Sequence, residues 1–261
     1  MDTIDLLNLR QWVLNYCRRF HSADENNQRN IALKETHIYR VAANMLTISG
    51  TVLRNRSKVM IAEAIGLLHD IGRFPQYAQY RTFRDSISVN HGRLGAEVIE
   101  NENILNSLPL NEQEMIIDAV RFHNAPSVPG NLGAETVFFL KMVRDADKLD
   151  IWRVFAEYYA KDAAERESAV GLDLPDTPEY TDAVLACLAT QTVASLSSLK
   201  TLNDFKIMQL TWVYDLNFPA SFRLAFDQGY IDRIMATLPE TDYITKAISG
   251  LRRYMRDKEQ G

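Results

Sequence analysis

The chain has 261 residues, 46% hydrophobic and 24% charged, the balance of a soluble globular protein able to bury a substantial core. A formal charge of -5 excludes non-specific binding of a nucleic-acid polymer as the main task, which needs a basic surface. Two cysteines, Cys17 and Cys187, exclude a disulfide framework and a cysteine-based zinc site, and the start at Met1 lacks the pattern of a signal peptide. The longest apolar run, 183–189, is too short to span a bilayer, so a cytoplasmic protein with no membrane partner is expected.

Helical periodicity dominates. Leu6, Leu9, Val13, Tyr16 and Phe20 step by three and four, which predicts an amphipathic first helix. A second helix is expected from about Ile31 to Ser49, stopped by Gly50, with Ile38, Val41, Met45 and Ile48 on one face. Ser57 reads as the N-cap of a third helix carrying Met60, Ala64, Leu67, Leu68 and Ile71. Residues 74–84 interleave aromatics with bases. That stretch reads as an ordinary connection packed by its aromatics, or as a loop that stacks a nucleobase and grips phosphate.

Asn90 is expected to cap a helix with Leu94, Val98 and Ile99, and Asn111 with Glu114 to form a capping box before Ile116, Ala119 and Val120. A long helix is expected from Ala134 to Tyr159. The segment 165–180, with Gly171, Pro175 and Pro178, reads as a linker. Further helices are expected at 181–191, 203–216 and 242–256, with strand alternation nearly absent. The expectation is an all-α protein, with a catalytic domain at 1–165 and a helical extension packed on it at 166–261. The aromatics of that extension, Phe205, Trp212, Tyr214 and Phe218, leave open a cover for the site, a homodimer interface or plain core.

Four of the five histidines occupy apolar stripes. His37 lines up with Val41 and Met45, His91 with Leu94 and Val98, and His123 with Ile116, Ala119 and Val120; His69 closes an apolar helix and precedes Asp70. Asp147 shares a stripe with Leu140, Val143, Ile151 and Val154, whereas Asp145, two residues earlier and about 200° away, is expected on a polar face with Lys141 and Lys148. Arg144, about 60° off the stripe's centre, can either swing out to solvent or pair with Asp147, for which a metal shared with the histidines is the expected partner. One inward histidine is ordinarily a hydrogen-bonded core residue, and an inward carboxylate is costly without a cation. The whole set on separate helices points to convergence on a metal, and imidazole with carboxylate suits zinc, iron, manganese or nickel. His21 reads as surface.

The ordered set His37, His69, Asp70, His91, His123 and Asp147 resembles the HD superfamily of metal-dependent phosphohydrolases, as do the strings LLHDIGR at 67–73, NHGRLGA at 90–96 and RDADKLD at 144–150. The resemblance covers about residues 30–160. It implies that His37, His69, Asp70 and Asp147 form the core site. It further implies that His91 and His123 mark the dinuclear subgroup, in which Asp70 would bridge two divalent transition-metal ions (iron, manganese, nickel or zinc). Arg73 replaces the lysine usual in cyclic-di-GMP phosphodiesterases of the superfamily, and their Gly-Tyr-Pro motif is absent.

The reaction so implied is hydrolysis of a phosphoester or phosphoanhydride in a small phosphorylated molecule such as a nucleotide. Asp70, Arg73 and Lys148 are the expected catalytic residues, and Arg40, Arg73 and Arg81 the expected substrate-binding ones, since charge developing on phosphate needs fixed cations. Two other functions fit the same ligands: a diiron oxygenase of the superfamily, and a catalytically silent sensing module held together by metal.

Overall fold

The computed structural model describes residues 1–162, 165–170 and 172–260, and no strand occurs among them. The helices are α1 (Thr3–Arg18), α2 (Glu25–Val52), α3 (Arg56–Leu68), α4 (Arg73–Tyr80), α5 (His91–Asn101), α6 (Leu110–Phe122), α7 (Ala134–Ala160), α8 (Asp182–Thr190), α9 (Leu202–Thr211), α10 (Pro219–Gln228), α11 (Tyr230–Met235) and α12 (Asp242–Gln260). No helix among the described residues is long and apolar enough to cross a membrane.

Two compact units divide the chain. The first is Met1–Asp147 with Glu167–Val170, and the second is Lys148–Arg166 with Gly171–Gly261. The division falls inside α7.

Capping chemistry explains where several helices depart from expectation. The Asp24 side chain accepts the backbone N–H of Asn27 at 2.8 Å, so α2 begins before Ile31. It also passes through Gly50 and ends only where Leu53 turns extended. Asn55, not Ser57, caps α3 by accepting the Ser57 N–H at 2.9 Å. Asn90 caps α5 as expected, accepting the Arg93 N–H at 2.9 Å. Pro109 takes the N-cap position of α6, which places Asn111 inside the helix and leaves the expected capping box unformed. The aromatic stretch after Arg73 is mostly helix: α4 buries Phe74 and Tyr77 and ends at Arg81, which turns left-handed at φ 55°.

In the first unit α2 packs on α3, α3 also on α1 and α6, α5 on α6, and α4 on α2 and α5. The expected α2 face is buried at Ile38, Val41, Met45 and Ile48. Helix α3 is buried continuously from Ile61 to Leu68. At Gly66 a Cβ would lie 2.6 Å from the Cα of Ala42, so a glycine is what lets α2 and α3 touch backbone to backbone. That contact sets His37 and His69 side by side. In the second unit α8 packs on α9 and α12, α10 on α11 and α12, and α9 on α11, around Val184, Ile207, Leu210, Ile234 and Leu251.

Helix α7 does not carry Asp145 on the polar face expected for it. Met142, Val143, Asp145, Ala146, Leu149, Asp150, Trp152 and Arg153 are all buried. Asp145, expected beside Lys141 and Lys148 on a solvated face, is therefore in the interior at 0% exposure. Residues on more than one side of α7 are buried, so a helical wheel does not separate an inward from an outward face here. Arg144 donates to the carbonyls of His123 and Ala125.

Candidate metal centre

Six side chains from α2, α5, α7 and the turns that follow α3 and α6 meet in the first unit. His37 comes from the middle of α2, His69 and His123 follow the last residues of α3 and α6, Asp70 lies in the turn after α3, His91 opens α5, and Asp147 projects from α7. All but Asp147 are buried, and the Asp147 side chain is 18% exposed.

Asp70 divides its two oxygens between two histidine pairs. Oδ2 lies 3.5 Å from His37 Nε2 and 4.0 Å from His69 Nε2, while Oδ1 lies 3.2 Å from His91 Nε2 and 3.7 Å from His123 Nε2. Asp147 Oδ1 closes the first group, 3.0 Å from His37 Nε2 and 3.7 Å from His69 Nε2. Three overlapping sets hold ligand atoms close enough for one ion each: His37 with His69 and Asp70, His69 with His123 and Asp147, and Asp70 with His91 and His123.

The donor chemistry fits cations. His69 Nδ1 lies 2.8 Å from the Gly66 carbonyl and His123 Nδ1 lies 2.7 Å from the Val120 carbonyl. A carbonyl only accepts, so each Nδ1 carries the hydrogen and each Nε2 offers a lone pair. His91 Nδ1 similarly faces the Asp85 carboxylate at 2.7 Å. His91 Nε2 and His123 Nε2 thus meet lone pair to lone pair at 3.0 Å, beside an anionic oxygen. A proton between them is disfavoured, since burial, then the nearby Arg73 guanidinium, pull the His91 imidazolium down to about 3. Burial lowers His69 as well. Burial opposes ionisation of Asp70, yet Lys34, Arg73 and the imidazoles hold its carboxyl well below the usual range; the neighbouring His37 and His69 rings overcome burial at Asp147 in the same direction. Neutral imidazoles around ionised carboxylates are what divalent transition metals bind.

Residues 35–152 match the family model of the HD domain. This segment is an HD domain. No curated protein and no solved structure matches the chain. HD domains are generally metal-dependent hydrolases, and the buried histidine and aspartate groups here are able to hold metal. The HD domain spans α3 to α6 and parts of α2 and α7, so the helices from α8 onward lie outside it.

The expected cations of the HD domain stand in different surroundings. Arg73 is turned onto its own loop: Nη1 donates to Gln76 Oε1 at 2.8 Å, to Asp85 Oδ1 at 2.9 Å and to the Phe83 carbonyl, and Nε lies 3.5 Å from Asp70 Oδ1. Lys148 pairs with Asp215 at 2.8 Å within the second unit. Arg40 is exposed on α2, and Arg81 is exposed with its guanidinium 5.6 Å from the Tyr77 ring centre. His21 is at the surface, 2.9 Å from Glu35.

Two functional candidates escaped the sequence reading. Lys34 Nζ lies 2.8 Å from Asp70 Oδ2. Its signal was present, because three residues before His37 on a helix is the same face. Asp85 lies in a short 3-10 turn, Asp85–Ile87, where no periodicity marks an inward side chain.

Proposed function

We propose that the HD domain hydrolyses a phosphoester or phosphoanhydride bond in a small phosphorylated molecule, a nucleotide being the first class to test. We also assign it two divalent transition-metal ions. The observation that carries this reading is the division of Asp70, whose oxygens address separate histidine pairs. One ion would be held by His37, His69, Asp70 and Asp147, the other by Asp70, His91 and His123. When bound, such ions supply Lewis acidity to phosphoryl oxygens and draw the pKa of water toward neutrality.

The remaining roles belong to the chain. Lys34 is the cation we assign to the substrate's phosphoryl oxygens: it shares a face of α2 with His37, is 15% exposed, and its ion pair is with a carboxylate that the metals would claim. Arg73 acts on this reading through Asp70 and Asp85, positioning them without touching phosphate. Lys148 is paired with Asp215, Arg40 and Arg81 are exposed, and we assign none of the three a catalytic role. Buried Cys17 and half-buried Cys187, both free thiols, suit a reducing cytoplasm.

The test is a panel of nucleotides, dinucleoside polyphosphates and simple phosphomonoesters assayed with manganese in an anaerobic chamber, then in air with ferrous iron. Release of phosphate or nucleotide without oxygen is expected. Turnover that appears only with iron and consumes oxygen would assign the domain to oxygenase chemistry instead. Bound metal with no turnover under either condition would leave a metal-stabilised module.

A further inference from the structure

The three histidines whose Nδ1 partner is known do not hold that nitrogen in the same way. His69 and His123 follow the last residues of α3 and α6, and each finds a carbonyl three residues upstream, Gly66 and Val120, at 2.8 and 2.7 Å. A helix end supplies that acceptor automatically, because its last carbonyls have no intrahelical donor. His91 sits at the opposite kind of end. It is the first residue of α5, and no helical turn precedes it to offer a carbonyl. Its acceptor is brought from outside by Asp85, with Oδ1 2.9 Å and Oδ2 2.7 Å from Nδ1.

Asp85 is itself held from several directions. Arg73 Nη1 and Gln76 Nε2 from α4 each donate to Oδ1 at 2.9 Å, and Asn124 Nδ2 donates to Oδ2 at 2.9 Å. Gln76 is fully buried and also grips Ser88 Oγ at 2.9 Å and the Val89 carbonyl at 3.0 Å. Glycines let these pieces close up: a Cβ on Gly72 would strike the His91 carbonyl, and one on Gly92 would come 2.6 Å from Asn124 Oδ1. The convergence fixes a carboxylate behind His91, where His69 and His123 have a backbone carbonyl.

We infer that Asp85 is a positioning residue dedicated to the second metal position, fixing the tautomer and direction of His91 so that Asp70, His91 and His123 take an ion. A carboxylate behind an imidazole also makes the ring a stronger donor than a carbonyl does. The first position, built from His37, His69, Asp70 and Asp147, is linked to Asp85 indirectly, through Arg73, whose Nε lies 3.5 Å from Asp70 Oδ1, and its His69 is held by the Gly66 carbonyl instead. The inference rests on the two-ion reading above and refines it: occupancy of the two positions is separable, and Asp85 controls one.

The test is a manganese titration of metal-stripped wild type, Asp85→Asn and Asp85→Glu. It is followed by elemental analysis and by the spin-coupled signal of a manganese pair in electron paramagnetic resonance, with thermal unfolding recorded alongside. Wild type should take two ions and show the coupled signal. Asp85→Asn, nearly isosteric, should bind the first ion as wild type does, bind the second about 10–100-fold more weakly, and lose the coupled signal at stoichiometric metal. Asp85→Glu should recover part of that signal. Equal binding of both ions by Asp85→Asn would overturn the inference, and so would loss of both together or unfolding of both variants, which would make Asp85 a determinant of the fold. Wild type taking fewer than two ions would show in the first arm, and would remove the two-ion reading before any variant is compared.

Discussion

Lys34 Nζ lies 2.8 Å from Asp70 Oδ2, the oxygen that also faces His37 and His69. The ammonium neutralises the carboxylate on which both proposed ions depend, so it opposes metal binding while supplying positive charge for an anionic substrate. Unit charges a few ångströms apart interact by roughly 4 kcal/mol at the effective dielectric of a protein surface. Lys34→Met should therefore tighten metal binding by about tenfold or more, and should raise KM for an anionic substrate more than it lowers kcat. Competition with a chelator of known affinity reads the first effect and steady-state kinetics the second. Weaker metal binding in the variant would mean that Lys34 supports the ligand shell.

Much of this centre was legible in the chain alone, because a polar residue on an apolar stripe stands out wherever the stripe is clean. His37, His91 and His123 were found that way, and their convergence needed only that the helices pack. The signal weakened where a helix is surrounded. On α7, Asp145 and Asp147 are both drawn inward, and a wheel cannot rank them. It failed where the backbone is irregular: Asp85 acts from a 3-10 turn, and its partners Gln76 and Asn124 lie 9 and 39 residues away. Caps were misplaced by a few residues because Asn55 and Pro109 compete locally with Ser57 and Asn111, and only tertiary packing decides between neighbours.

Asn44 places α7 against α2 close to a ligand. Its Nδ2 donates to the carbonyl of Ala146 at 3.1 Å, in the buried interior, one residue before Asp147. Asn44→Ala should cost about 1–3 kcal/mol, the range for a buried hydrogen bond whose acceptor is left unsatisfied. Beyond that loss, metal affinity should fall, since Asp147 would no longer be held in register with His37. Denaturant unfolding of the metal-free protein measures the first effect, and metal titration the second. A stability loss with unchanged affinity would confine Asn44 to packing.

Gly66 gives a prediction in which two effects have opposite signs. Alanine is a better helix residue than glycine by about 1 kcal/mol. The added methyl, however, would lie 2.6 Å from Ala42 Cα and 3.0 Å from its backbone nitrogen, and backbone does not yield as a side-chain tip does. Overpacking of this kind costs about 1–3 kcal/mol. Gly66→Ala should therefore be destabilising on balance, and should weaken metal binding by pushing His69 away from His37. A variant more stable than wild type would show that α2 and α3 can move apart cheaply.

Asp70 and Asp147 are both carboxylates beside His37 and His69, and Asp70 also lies beside both His91 and His123. Its Oδ1 lies 3.2 Å from His91 Nε2, whereas the ion-pair distances of Asp147 are to His37 and His69. Asp70→Asn should abolish binding of both ions, because an amide supplies neither the charge nor two anionic oxygens. Asp147→Asn should weaken the first position and leave the Asp70, His91 and His123 position able to take one ion. The stability consequences follow by mass action: ligand present at 100 times its dissociation constant stabilises by about 2.7 kcal/mol per site. Stripping wild type with a chelator should thus lower Tm by several degrees. Asp70→Asn should show no such metal dependence, and Asp147→Asn about half of it. Elemental analysis paired with calorimetry, with and without manganese, separates the three proteins. Retention of two ions by Asp70→Asn would show that Asp70 is not the bridge, and the division of its oxygens between the histidine pairs would then be a feature of packing alone.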